Sequence, residues 1–429
     1  MKRLVAVLAC VAIVMPAGCA RVREAAAPAQ AGAAEVPAKG DAVREVDPRL
    51  AGANDAFGLR LLRQMPASGP NALLSPFSVT SALAMTANGA DGAARTAIAR
   101  TLGIDAMGMP AANAAYADLL ARLQTDTPVS KLAIANSLWL REGEEFRSDF
   151  LATNRDYYAA EATTVRFGGI EANRRIDGWV NARTRGLIPR LLGDQPLDER
   201  TLLVLVNALY FKSDWKDAFD PAETRPETFT APGSSFEVPM MHKTAALDYL
   251  ETPRFRAVRL PYEDGKRSMY VFVPRYAGAE RLMGGPVRLD TLDLFLDELD
   301  GASWAEWMRS FQRREDVIVG LPRMTLKGRC SLKQPLERLG IGPAFRPGGF
   351  PRLTKSGDEA AIADVVHAVT VEVDEKGTKA AAATGVVVGA TAMPVEPPRV
   401  VADRPFFFAI RDDASGVVLF AGAVRDPRK

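Results

Sequence analysis

Apolar and polar positions along the chain follow two different periods, which predict a mixture of helices and strands. In some stretches apolar residues recur every three to four positions, the spacing of one helical face. In others they fill short continuous or alternating runs bounded by Gly, Pro and polar residues, as is typical of strands. The predicted helices cover residues 53–65, 76–90 behind a capping Ser75, 156–162, 172–186 and 303–311, and the predicted strands cover 131–140, 202–211, 268–274, 316–322, 365–373, 405–410 and 417–424. Helices dominate the first half and strands the second, so we expect an α+β fold with mixed or antiparallel sheets.

Two of the predicted strands carry a polar residue inside an apolar run. Asn207 lies within residues 201–211 and His367 within residues 364–373. A buried amide or imidazole needs a hydrogen-bond partner. We therefore expect Asn207 and His367 to satisfy one another.

The N-terminus has the layout of a bacterial export signal. Two basic residues precede an apolar run from Leu4 to Met15, and small residues follow. The run is too short for a bilayer, which needs ~20 apolar residues. A Gly-Cys pair resembles the end of a lipoprotein signal, so residues 1–19 are predicted to be a leader and Cys19 a lipidated residue. Plain cleavage after Ala20 is the alternative, and the product would be a cell-envelope lipoprotein or a secreted protein.

Residues 20–47 are rich in Ala and Pro and contain no Leu, Ile or aromatic residue. Such a composition cannot form a core, so this segment is predicted to be a disordered tether. Cys10 belongs to the leader and Cys19 to the lipid site, which leaves Cys330 without a partner. We expect the fold to be stabilised by packing and not by a disulfide.

The overall composition is that of a globular protein. Of the 429 residues, 48% are apolar and 25% are charged, and the net charge is +2. Length alone favours two or three domains. No cluster of Lys and Arg indicates a nucleic-acid partner.

The sequence offers little support for catalysis. It contains two histidines and three cysteines, with no G-x-S-x-G elbow, H-E-x-x-H or C-x-x-C motif, and no Gly-rich phosphate loop. A hydrolase using His367 remains a weak alternative, because a histidine in an apolar strand is more often a hydrogen-bonded core residue. We expect a protein that is not an enzyme and that holds no metal or cofactor.

An uncharged segment near the C-terminus combines strand and loop character. Residues 380–395 are Ala, Gly, Val and Thr for the most part, which favours pairing with a sheet, while Gly and Pro residues favour a loop.

Several long motifs, in order, resemble those of the serpins, the serine protease inhibitor family. The resemblance covers residues 54–427 and includes "NALLSPFSVTSALAMTANGADGAARTAI", "LVNALYFKSDWKDAF", "FEVPMMH", "VVHAVTVEVDEKGTKAAAATG" and "VVADRPFFFAIRDDASGVVLFAGAV". It implies a single domain, residues 48–429, with three β-sheets and about nine helices. It also implies an exposed reactive-centre loop at about residues 376–398, and a metastable fold.

The resemblance further implies that this loop is bait for a protease. The protease would cleave the loop and stay bound to it as a covalent acyl-enzyme. The loop would then insert as a new strand into the main sheet and distort the active site of the protease. The residues that match the loop hinge are Glu375, Gly377, Thr378, Ala380, Ala381, Ala382 and Ala383. Alternation places Thr378, Ala380 and Ala382 on the inserting face, where no charge or Pro occurs. The hinge therefore favours an inhibitor over the alternative, a noninhibitory serpin-like binding or chaperone protein that is cleaved without trapping.

Counting from Glu375, the resemblance places the reactive bond between Thr391 and Ala392, with Ala390 and Met393 as neighbours. Small residues here favour an elastase-like or subtilisin-like protease. The residues that match the family's gate, the hydrogen-bond cluster beneath the main sheet together with the Trp where the loop enters, are Ser75, Ser78, Asn207, Trp215 and His367. The segment that matches the heparin-binding helix lacks basic residues, so no heparin is expected. We expect a monomer that meets a membrane only through its N-terminal lipid.

Overall fold

The α+β prediction is confirmed by a computed structural model. It describes residues 5–16, 46–65, 70–127, 129–275, 291–357, 360–376 and 396–429. Within these ranges the α-helices are α1 Pro48–Arg63, α2 Pro76–Ala87, α3 Gly92–Leu102, α4 Met109–Leu123, α5 Ser148–Tyr158, α6 Ile170–Arg183, α7 Thr291–Glu298, α8 Gly301–Ser310 and α9 Lys333–Leu336. The strands are β1 Val5–Pro16, β2 Ala72–Leu74, β3 Thr125–Asp126, β4 Ser130–Arg141, β5 Ala160–Val165, β6 Leu203–Ser213, β7 Arg225–Ala231, β8 Ser234–Glu251, β9 Phe255–Pro261, β10 Arg267–Pro274, β11 Gln312–Pro322, β12 Met324–Ser331, β13 Ala360–Val373, β14 Arg399–Val401, β15 Phe406–Asp412 and β16 Val418–Val424.

The main sheet has the strand order β12-β13-β1-β6-β4-β3, with β5 paired to β4. The long strands β4, β6 and β13 match the predicted strands. They read as nearly continuous apolar runs because helices or loops cover both faces of the sheet. Helix α2 packs beneath β1 and β6, and α6 packs against β4 and β6.

The second sheet has the order β14-β11-β8-β9-β10-β15-β16-β2, with β7 paired to β8. The three sheets implied by the resemblance are joined into two here. The join occurs because β8 is a continuous strand of 18 residues. It pairs with β7 and β11 along most of its length and with β9 at its end.

The predicted helix at residues 156–162 is wrong in its second half. Helix α5 ends at Tyr158, because Ala159 adopts a left-handed backbone with φ +50°. The following residues, from Ala160, form β5, which pairs in parallel with β4. Tertiary pairing thus overrides a short helical pattern.

Residues 5–16 belong to the main sheet, although the sequence predicts them to be part of an export leader. They form β1, which lies between β6 and β13. Removal of this leader by processing, before Cys19 if that residue is lipidated and after Ala20 if it is not, stays a prediction. Most of the predicted tether lies outside the described residues. No helix in the described ranges combines the length and apolar character needed to cross a membrane.

Candidate functional site

The candidate site is the space between β6 and β13, called here the central gap. Strand β1 fills it and runs antiparallel to both neighbours. Pairing with β13 extends from Val5 opposite Glu372 to Pro16 opposite Ala360. Because each pair of neighbouring strands is ~4.8 Å apart, β6 and β13 are separated by roughly 9.5 Å. The main sheet therefore has room for one strand beyond those of its folded domain.

The described side chains of β1, Cys10 to Val14, are buried on both faces of the sheet. Cys10, Ala12 and Val14 are fully buried in the main core, on the side of α2. Val11 and Ile13 point to the other face and pack in a second cluster with residues of α6. Small and β-branched residues without charge fit a strand that is covered on both sides.

A row of polar side chains crosses the sheet at the middle of β1. Asn136 of β4 lies opposite Asn207, and Asn207 lies opposite Cys10. Cys10 in turn lies opposite His367, which lies opposite Cys330 of β12. Directly opposed residues share a face, so the row runs along one side of the sheet.

Asn207 and His367 do not bond to one another, so that prediction is wrong for this conformation, and the reason is that β1 lies between them. The Asn207 Nδ2 donates to Asn136 Oδ1 at 2.7 Å. The backbone amide of Ser75 donates to His367 Nε2 at 3.3 Å. The other polar atom of each side chain, Asn207 Oδ1 and His367 Nδ1, is buried and has no hydrogen-bond partner among the described residues.

These two orphaned atoms are complementary. Burial lowers the pKa of His367 to about 3, so the imidazole is neutral at physiological pH. Since Nε2 accepts a hydrogen bond, the proton is on Nδ1, which is a donor without an acceptor. Asn207 Oδ1 is an acceptor without a donor. Closure of the central gap would bring Nδ1 of His367 and Oδ1 of Asn207 together.

The predicted serines lie at the start of α2, below this row. Ser75 is the N-cap, and its side chain accepts a hydrogen bond from the Ser78 amide at 3.3 Å. The Ser78 hydroxyl is buried without a partner in the described part of the chain. The structure thus joins Ser75 to His367 and to Ser78, while Asn207 lies on the other side of β1 and bonds to Asn136.

Trp215 lies at the end of the gap where the loop begins. Its ring is fully buried and stacks on Tyr262, with 4.7 Å between ring centroids. The indole N–H donates to the carbonyl of Asp374 at 2.9 Å, and its backbone amide donates to Lys376. These bonds fix the last residues before the loop.

Glu375, the first residue of the predicted hinge, is also held by hydrogen bonds. Its carboxylate accepts a hydrogen bond from the Thr224 hydroxyl at 2.8 Å and lies 3.5 Å from Arg323. Its carbonyl accepts from the Phe219 amide at 3.1 Å. The remaining predicted loop and lipid residues lie outside the described residues: Gly377, Thr378, Ala380, Ala381, Ala382, Ala383, Ala390, Thr391, Ala392, Met393 and Cys19.

The described residues around His367 do not form a catalytic arrangement, which argues against the hydrolase alternative. The one hydrogen-bond partner of His367 in the described residues is a backbone amide, and the lowered pKa makes the imidazole a poor base. The described ranges also contain no group of His, Cys, Asp or Glu that could hold a metal ion.

The sequence reasoning missed the role of β1 and of Asn136. The run from Leu4 to Met15 has no charge and is rich in Val and Ala, which is a strand signal of the same length as the central strands. That signal could have been found, but the basic start of the chain favoured a leader.

Comparisons with known proteins agree with this architecture. A family model described as serpin (serine protease inhibitor) matches residues 52–427. An uncharacterized serpin-like protein of Thermococcus kodakarensis is 32% identical over 379 residues, which covers 87% of this chain and 85% of the relative. The leukocyte elastase inhibitor of Sus scrofa is 34% identical over 397 residues, with 88% and 100% coverage. The crystal structure of the thermophilic serpin tengpin in the native state matches with a TM-score of 0.72 and 28% identity, over 88% of this chain and 94% of that one.

Proposed function

The chain belongs to the serpin family, and from that premise we propose that it traps an elastase-like or subtilisin-like serine endopeptidase as a suicide substrate. The family is one of protease inhibitors and not of catalytic enzymes. The target class and the trapping step are the proposal.

The observation that carries the proposal is the extra strand in the central gap. A sheet that accepts β1 along its whole length, antiparallel to β6 and β13, has the room that an inserted loop needs. A loop that turns back after Lys376 would also run antiparallel to β13, starting at the Trp215 end of the gap and ending near Ala360. The inserted loop and β1 would therefore have the same direction.

The chemistry of the trap is acyl transfer. The serine oxygen of the protease attacks the carbonyl carbon of Thr391, and the bond to Ala392 breaks. The protease histidine moves the serine proton to the leaving amine, and an ester joins Thr391 to the protease. Loop insertion must precede attack of water on that ester.

The target class rests on the loop sequence. No basic residue lies between Lys379 and Arg399, which disfavours trypsin-like enzymes. Small residues around Thr391 fit an apolar, shallow specificity pocket. One relative with 34% identity is named an elastase inhibitor, which supports the same class.

The test is incubation of the chain lacking residues 1–19 with pancreatic elastase and with subtilisin, followed by denaturing electrophoresis. We expect an adduct that survives denaturation, and a released fragment that begins at Ala392 by mass spectrometry. Cleavage without any adduct would contradict inhibition and support the noninhibitory alternative.

A matched pair of variants tests insertion directly. Ala380→Glu places a charge on the predicted inserting face, and burying an unpaired charge costs several kcal/mol. Ala381→Glu places the same charge on the outer face. We expect Ala380→Glu to form at least about 10-fold less adduct, while Ala381→Glu stays close to the parent.

Localisation belongs to the proposal as well. We propose that Cys19 carries a lipid that holds the inhibitor at the cell envelope. A Cys19→Ser variant expressed with the leader should lose lipid labelling and move from the membrane fraction to the soluble fraction.

A further inference from the structure

The strand that fills the central gap comes from the N-terminus of the chain and not from the loop. We propose that residues 5–16 are a built-in blocker, which occupies the insertion site of the unprocessed chain and prevents trapping until the leader is removed. This inference rests on the proposed function, because it concerns the site into which the loop would insert.

The fit of β1 is that of a complete strand. It pairs with ten residues of β6 and with twelve positions along β13, interrupted by one register shift after Ile13. Its end is also tied to the sheet, since the Leu202 amide donates to the Val14 carbonyl at 2.7 Å. The described side chains, Cys10 to Val14, are at most 6% exposed. Nothing in this arrangement leaves space for a second strand.

The blocker and the loop would compete for one place. Strand β1 is uncharged, as is the predicted inserting face of the loop, and an inserted loop would run in the same direction as β1, away from the Trp215 end of the gap. The chain between Pro16 and Asp47 is long enough to allow either arrangement, since 30 residues can span ~100 Å. Occupation by β1 therefore excludes insertion of the loop.

The gate residues show that occupation has a cost. With β1 in place, His367 Nδ1 and Asn207 Oδ1 are buried on either side of Cys10 without partners. Departure of β1 would let the donor and the acceptor pair, which favours closure of the gap. The unpaired atoms of His367 and Asn207 thus weaken the binding of β1. Its covalent connection to the rest of the chain is what keeps β1 in the gap.

Processing would remove that connection. While β1 is part of the chain, its effective concentration at the gap is higher than that of a free peptide, because the chain joins β1 to the folded domain. After cleavage near Cys19 the same segment is a free peptide. The predicted cleavage would therefore convert a blocked chain into one whose gap is free for the loop.

Cys10 reports on the blocker in the unmodified full-length chain. Its thiol is fully buried in β1, so a thiol reagent reaches it only when the strand leaves the sheet. We expect iodoacetamide to label Cys10 at least about 100-fold more slowly in the folded chain than in urea, measured by mass spectrometry of the N-terminal peptide. Labelling in the folded chain at nearly the unfolded rate would overturn the inference.

A full-length variant should release the blocker. Ala12→Asp introduces a carboxylate where the side chain is fully buried, whereas Ala33→Asp places the same charge in the predicted tether, outside the described residues. After elastase cuts the loop, we expect the melting temperature of Ala12→Asp to rise by more than about 10 °C. The parent and Ala33→Asp should start from a higher temperature and change little. Equal rises in all three chains would overturn the inference, and the Cys10 labelling decides it even if Ala12→Asp does not fold.

Adduct formation separates this inference from the proposed function. We expect Ala12→Asp to form at least about 10-fold more adduct with elastase or subtilisin than the full-length parent. If no chain forms an adduct while Cys10 stays protected and the heat shifts appear as expected, inhibition fails, but occupation of the insertion site by β1 stands. If the full-length parent traps as well as Ala12→Asp does, the blocker is wrong and inhibition stands.

Discussion

Burial holds the imidazole of His367 neutral down to about pH 3, whereas an unfolded chain protonates the same side chain below about pH 6.5. Between these values the unfolded state binds more protons, so the free energy of unfolding must fall as the pH falls. The contribution of His367 is complete above pH 6.5 and lost by about pH 3. Asp55 has the opposite effect on the free energy of unfolding. Because burial raises the pKa of Asp55 to about 6, its contribution to stability grows as the pH falls below that value.

A pair of variants isolates the effect of His367. His367→Asn keeps an acceptor for the Ser75 amide but does not titrate, while His242→Asn removes the other histidine. We expect the parent and His242→Asn to lose up to about 1.4 kcal/mol per pH unit more than His367→Asn between pH 6 and pH 4. Urea unfolding at several pH values measures this difference. Parallel pH profiles for the parent and His367→Asn would contradict a neutral, buried imidazole.

Ser75 and Ser78, the two serines predicted to belong to the gate, differ in what their hydroxyls do. Ser75 caps α2, so Ser75→Ala should lower the free energy of unfolding by about 1 kcal/mol. The Ser78 hydroxyl has no partner in the described residues, so Ser78→Ala should be neutral or slightly stabilising in the full-length chain. Urea unfolding of both variants checks the order. A larger loss for Ser78→Ala would show that its hydroxyl has a partner.

At the scale of the elements, the sequence predicts best those strands and helices whose pattern is local. The cap at Ser75 and the buried strand around Asn207 are found as predicted, because a capping residue and a continuous apolar run identify them. Strand β8 is not among the strands that the hydrophobic pattern predicts, because it changes its neighbours along its length and has no regular alternation of buried and exposed residues. The polar character of Asn207 and His367 was recognised, but their partners depend on which segment fills the gap.

The position of β1 shows where local pattern is insufficient. An apolar, uncharged run near Val11 fits both an export leader and a covered strand, because both require the same composition. Its place is decided by pairing with β6 and β13, which lie roughly 190 and 350 residues further along the chain. Strand pairing between residues so far apart in the chain cannot be predicted from the pattern of one segment alone.

At the scale of the whole molecule, β1 fills the central gap of the main sheet, and we propose that the cut loop can fill the same gap. The described conformation, with β1 in place, is a fully paired main sheet. A chain without residues 1–19 would lack that strand, and we propose that its gap closes until the cut loop enters. Removal of the leader would lower the stability of the main sheet and would allow the loop to insert.

Heat unfolding of the chain lacking residues 1–19, before and after its loop is cut by subtilisin, tests this most directly. Insertion of the cut loop adds a strand to the main sheet, and we expect the melting temperature to rise by more than about 10 °C. An unchanged melting temperature after complete cutting would contradict the claim that the cut loop inserts between β6 and β13.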